Sequence, residues 1–124
     1  MSLNIGILGL GTVGGEFLKE ILKHRAKGIN VVCASELADT PGRKLAAASG
    51  IEIVSLDGII AKGAAIDVVV DLTCSAYGRK WVRDKLASSA NKHTVVVPET
   101  VSHLVWALMT NQDLPKPSDH HEGY

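Results

Sequence analysis

The segment Gly9-Leu10-Gly11-Thr12-Val13-Gly14 constrains this chain more than any other. It lies between the apolar run Ile5-Gly6-Ile7-Leu8 and an amphipathic run from Glu16 to Arg25. Three glycines at this spacing are weak evidence alone. At a strand end and a helix start they form the dinucleotide-binding fingerprint. Gly9 permits a tight turn, and Gly11 lets the backbone approach a pyrophosphate because no Cβ intervenes. Gly14 lets the helix lie close on the strand. The N–H groups of the first helical turn, which includes Thr12 and Val13, then face the phosphates with the positive end of the dipole. The competing reading is a glycine-rich turn that binds nothing.

The rest of the chain alternates strand and helix patterns. Asn4 to Leu8 reads as a strand, and Val13, Phe17, Leu18, Ile21 and Leu22 have helical spacing. Gly28 ends that stretch, Ile29 to Ala34 is a second strand, and Pro41 starts a short helix through Ser49. Ile51 to Leu56 reads as a third strand, followed by a helical turn from Asp57 to Lys62. Ile66 to Leu72, with three consecutive valines, is a strand buried on both faces. A helix over Gly78 to Ala90, a strand over His93 to Val97 and a final helix complete the pattern. This order predicts a three-layer α/β fold: a doubly wound parallel sheet of Rossmann type, strand order 3-2-1-4-5. The cofactor cleft falls between strands one and four. The final helix is expected to cover the sheet with Val101, Leu104, Val105, Leu108 and Met109, leaving Trp106 wet. Such a patch suggests a homodimer or another chain as partner.

Several residues stand where a dinucleotide would be read. Glu36 follows the last glycine by about twenty residues, where an acid accepts hydrogen bonds from the adenosine ribose. It would repel a 2′-phosphate and favour NAD, with NADP possible if Arg43 or Lys44 compensates. A solvated loop acid is the competing reading, with Asp39 a rival for the ribose. Thr73-Cys74-Ser75 ends strand four at the ligand-binding edge, where Ser75 can also cap the next helix. Pro98-Glu99-Thr100 ends strand five on the same edge. Pro98 is counted with the cofactor contacts, while Glu99 either enters the cleft or stabilises the last helix start. Cys33 and Cys74 are too few for a disulfide framework and read as buried free thiols at strand positions, which points to the cytoplasm. The five histidines suggest no metal site, with the adjacent His120 and His121 in the tail. The charge is zero, from 13 basic and 13 acidic residues, so nothing favours nucleic acid. No apolar run reaches the ~18 residues that span a bilayer. Arg79, Lys80, Arg83 and Lys85 read as a wet helix face.

Three segments carry a family resemblance: Ile5 to Gly14, Val69 to Tyr77, and His93 to Pro98 with its following helix. Together they resemble the N-terminal cofactor domain of homoserine dehydrogenases over roughly residues 3 to 110. The resemblance implies that Gly9, Gly11, Thr12, Val13, Gly14, Thr73 and Cys74 hold a nicotinamide cofactor. It implies hydride transfer between aspartate semialdehyde and homoserine. This chain has Leu72 where the family commonly has asparagine, Cys74 for serine, and Glu99-Thr100 for asparagine-lysine. The expected organisation is a cofactor domain over 1–112 and a loose tail over 113–124, without the family's substrate domain. No catalytic residue is assigned, and turnover by this chain alone is not expected. The alternatives are a non-catalytic NAD(P)-binding sensor or partner subunit, and a degenerate Rossmann interaction domain.

Overall fold

The computed structural model describes residues 2–113. Five parallel strands form one sheet: β1 (Leu3–Leu8), β2 (Ile29–Ser35), β3 (Glu52–Ile53), β4 (Val68–Asp71) and β5 (Val95–Val97). Their spatial order is β3-β2-β1-β4-β5, as the alternating pattern predicts. The helices are α1 (Thr12–Leu22), α2 (Pro41–Ala48), α3 (Leu56–Lys62), α4 (Ala76–Ser88) and α5 (Glu99–Met109). Single turns of 3-10 helix cover Arg25–Lys27 and Gly63–Ala65. No helix among the described residues is long and apolar enough to cross a membrane.

Both faces of the sheet are covered, because consecutive strand residues point to opposite sides. Ile5, Ile7, Ala34 and Val70 pack with Phe17, Leu18 and Ile21 of α1, Ala46 of α2 and Trp106 of α5. Cys33 and Val69 pack on the other side with Leu56 and Ile59 of α3 and with Val82 and Leu86 of α4. The β1–β2 register slips between Ile5 and Gly6, which pair with Val31 and Cys33. Gly6 sits at this irregularity, and a Cβ there would lie 3.2 Å from Ile66 Cδ1.

Helix starts follow the local chemistry. Thr40, Ser55 and Ser75 each accept a hydrogen bond from the backbone three residues on, and Pro41 occupies the first turn of α2. Gly28 takes φ 88° after the 3-10 turn that follows α1. The third strand is only Glu52–Ile53, because Ser55 caps α3 and draws Leu56 into that helix. The fourth and fifth strands are likewise shorter than Ile66 to Leu72 and His93 to Val97.

Helix α5 lies the other way round from the expectation. Trp106 is 3 % exposed and Ser102 is buried beside it, whereas Leu104 is 58 % and Leu108 81 % exposed. The single indole outweighs the aliphatic stripe: it joins the core on this face of the sheet and donates its Nε1–H to the Asp113 carbonyl at 3.3 Å. Trp106→Ala is therefore expected to lower stability by about 3–5 kcal/mol, the usual scale for emptying a buried aromatic site. Leu108→Ser should stay within about 0.5 kcal/mol, as for surface positions. Urea unfolding of both variants checks the orientation, and the opposite ranking would contradict it.

Candidate functional site

The glycine turn joins β1 to α1 at the carboxyl edge of the sheet. Gly9 has φ +97°, in the region that side chains with a Cβ rarely adopt. A Cβ on Gly9 would stand 2.8 Å from the Thr73 Cα, and one on Gly14 would stand 2.0 Å from the Gly9 carbonyl oxygen. The turn is therefore wedged between α1 and the segment after β4. Gly11 is the N-cap of α1 and offers no side chain to its first turn, which also holds no acidic residue. The N–H groups of Thr12, Val13 and Gly14 precede the point where intrahelical bonding begins. An anion is the natural partner for such a turn.

The segment after β2 holds the turn from its other side. The Gly9 N–H donates to the Ser35 carbonyl at 2.9 Å. Leu10 is held twice: its N–H donates to Glu36 Oε1 at 3.0 Å, and its carbonyl accepts from the Thr40 hydroxyl at 2.6 Å. Glu36 is buried, and its Oε2 accepts the Ala38 N–H at 3.0 Å. It is thus not the solvated loop acid of the competing reading. A carboxylate accepts from several donors at once, which is the chemistry an acid here would use toward ribose hydroxyls. Asp39, the rival acid, is exposed and lies 3.6 Å from Lys44. Arg43 is half-buried, with its Nε buried and unpartnered.

Thr73, Cys74 and Ser75 form the opposite wall. Thr73 is buried, and its hydroxyl accepts the Ser75 N–H at 2.9 Å. Ser75 accepts the Gly78 N–H at 3.0 Å and so caps α4. Cys74 is exposed on this loop, not buried in a strand, because β4 ends at Asp71. Cys33 is buried as expected. Pro98 is the N-cap of α5, and its carbonyl accepts the Val101 and Ser102 N–H groups.

The basic cluster on α4 is not uniformly wet. Arg79 donates from Nε to the buried Asp71 Oδ2 at 2.7 Å, and from Nη2 to Glu99 Oε2 at 2.7 Å. Arg83 reaches the same Asp71 oxygen at 3.4 Å. Lys80 pairs with Asp84 on the exposed face, and Lys85 lies over the Trp81 ring. Glu99 therefore both occupies the first turn of α5 and pairs across to α4. His93 and His103 pair with Asp67 and Glu99 respectively. His120 and His121 lie outside the described residues.

Burial pushes the Cys33 thiol up to about 11, and desolvation also raises Cys74, with Glu99 adding to the effect. Thiolate is the reactive form, so a raised pKa slows alkylation at neutral pH. At pH 7.5 the folded protein is expected to take up one iodoacetamide, at Cys74, more slowly than a free cysteine does. Two should enter in denaturant. Mass spectrometry checks this, and modification of Cys33 in the folded protein would contradict the packing.

The family model for the NAD-binding domain of homoserine dehydrogenase matches residues 9–111. Among solved structures, the chain resembles Staphylococcus aureus homoserine dehydrogenase at 21% identity and TM-score 0.57, covering 88% of this chain and 29% of that one. It resembles the homoserine dehydrogenase of Thiobacillus denitrificans at 23% identity and TM-score 0.50, covering 88% and 26%. It also resembles RSP, whose structure is a complex with β-NAD+ and operator DNA, at 12% identity and TM-score 0.55, covering 86% and 55%. No curated protein matches the sequence. The chain thus spans less than a third of the dehydrogenases it resembles, and these likenesses speak for the fold. The family match covers most of the chain: it belongs to the NAD-binding domains of homoserine dehydrogenase.

Proposed function

We propose that this chain holds NAD at the carboxyl edge of its sheet, as the cofactor domain of a dehydrogenase acting between aspartate semialdehyde and homoserine. The observation that carries the reading is the acid-free, side-chain-uncapped start of α1 above a left-handed glycine turn. The N–H groups of Thr12, Val13 and Gly14 would meet the pyrophosphate, and Gly11 keeps that approach open. Glu36 would accept from the adenosine ribose while bracing Leu10. Thr73, Cys74, Ser75 and Pro98 would border the nicotinamide half of the cleft. A bound nicotinamide supplies the hydride acceptor or donor. The substrate pocket and the group that takes the hydroxyl proton would come from outside residues 2–113. The burial of Glu36 beside the turn supports NAD over NADP, since its charge would oppose a 2′-phosphate, with Arg43 the cation placed to compensate.

NADH is expected to bind at least tenfold more tightly than NADPH, about 1.4 kcal/mol, in calorimetric titrations. Gly11→Val should remove NADH binding while the far-UV spectrum is kept. Equal affinities would contradict the role of Glu36, and a folded Gly11→Val with parent affinity would contradict the role of the turn.

We infer that the exposed α5 face pairs with a second copy of this chain rather than with a different one. Val101, Leu104, Val105 and Leu108 form one stripe at helical spacing. The stripe is symmetric about its midpoint. A two-fold rotation would set Val101 against Leu108 and Leu104 against Val105, as an isologous contact requires. Beside it lies a shallow, open groove lined by His24, Lys27, Ile29, Val105, Leu108 and Met109. Four aliphatic side chains fall short of the ~800 Å² per partner of a standard interface, so the dimer should be weak. Sedimentation is expected to show reversible dimers from micromolar concentrations upward, lost in Leu108→Asp. A monomer throughout would contradict self-pairing and leave the face to a different chain.

A further inference from the structure

We propose that Arg79 is a positioning residue that sets dinucleotide affinity by holding the loop after β4, without itself touching the cofactor. The inference rests on the cofactor reading above. It begins with Asp71, whose side chain is 1% exposed at the end of β4. A buried carboxylate is tolerated only where its charge and lone pairs are met. Arg79 meets it through Nε at 2.7 Å, and the Thr73 N–H donates to Oδ1 at 3.2 Å. Arg79 then donates from Nη2 to the Thr73 carbonyl at 2.9 Å and to Glu99 Oε2 at 2.7 Å. One guanidinium thus ties the end of β4, the following loop and the first turn of α5.

Thr73 is held at both of its main-chain polar groups, by Asp71 at the N–H and by Arg79 at the carbonyl. Its Cα is also the atom that a side chain on Gly9 would strike. The wall of the glycine turn therefore sits where Arg79 fixes it. If the loop relaxes, both the Thr73–Ser75 segment and the space beside Gly9 change together. A lysine at this position would keep the charge near Asp71. It lacks the planar fork needed to serve Asp71, Thr73 and Glu99 together.

The experiment compares Arg79→Lys with Leu86→Ala, a core change on the same helix. NADH affinity is read by calorimetry, stability by urea unfolding, and loop order by amide hydrogen exchange. Arg79→Lys is expected to weaken NADH binding tenfold or more and to speed exchange at Thr73, while β1 amides stay protected. Leu86→Ala should lose at least as much stability yet keep its NADH affinity within twofold. Glu99→Gln should give a smaller loss, because Asp71 and Thr73 keep their bonds to Arg79. If Arg79→Lys binds NADH within twofold of the parent, or if its loss only parallels that of Leu86→Ala, the inference is overturned. A parent that binds no NADH overturns the cofactor reading itself and the affinity claim with it. The exchange result then separately supports or overturns the hold of Arg79 on the loop.

Discussion

The carbonyl of Gly9 lies so close to the Gly14 Cα that no side chain fits between them. This contact places the start of α1 directly on the end of β1. It also fixes which way the first turn of the helix faces. The left-handed φ of Gly9 turns the chain sharply enough to allow it. On one side the turn meets the backbone of Thr73; on the other it is bonded to Ser35, Glu36 and Thr40. The glycine turn is thus the junction where β1, β2 and β4 are brought to one edge. The strand order puts β1 between β2 and β4, which is what a crevice at a switch point requires.

Two buried carboxylates organise the charge around this edge. Glu36 is met by backbone N–H groups, and Asp71 by Arg79, Arg83 and the Thr73 N–H. Each carboxylate holds the loop beside it. An acid satisfied in this way holds backbone groups in place before a ligand arrives, which lessens the ordering that binding must impose. Glu99, at the position where the resemblance predicts asparagine, joins the Arg79 network and neutralises part of it.

The parts legible in the sequence are those set by local chemistry. The glycine spacing, the Thr40-Pro41 helix start, the Ser75 cap and the valine run of β4 all depend on near neighbours, and each is found where the pattern puts it. The parallel sheet follows from the alternation of elements and the handedness of crossovers, and its order from the glycine fingerprint after the first strand. What escaped the sequence depends on distant partners. Arg79 looks like Lys80 and Lys85 in the sequence, and only the return of Asp71 to its side distinguishes it. The position of Glu36 was legible, but its bond to Leu10, 26 residues away, was not. In α5 two apolar faces compete, one aliphatic and one built on Trp106. Periodicity favours the larger stripe, whereas the sheet accepts the side chain whose shape fills it. Cys74 lies past the sheet because β4 ends at Asp71, although the strand-compatible residues Leu72 and Thr73 continue the pattern.

NAD is expected at this edge of the sheet. A titration of the isotopically labelled protein with NADH, followed by backbone amide shifts, tests it most directly. The predicted result is a set of saturable shifts at Gly9 to Gly14, at Glu36 to Ala38 and at Thr73 to Ser75, with α3 and the amino ends of the strands unmoved. Shifts confined to other surfaces, or none at NADH concentrations that saturate a homoserine dehydrogenase control, would contradict it.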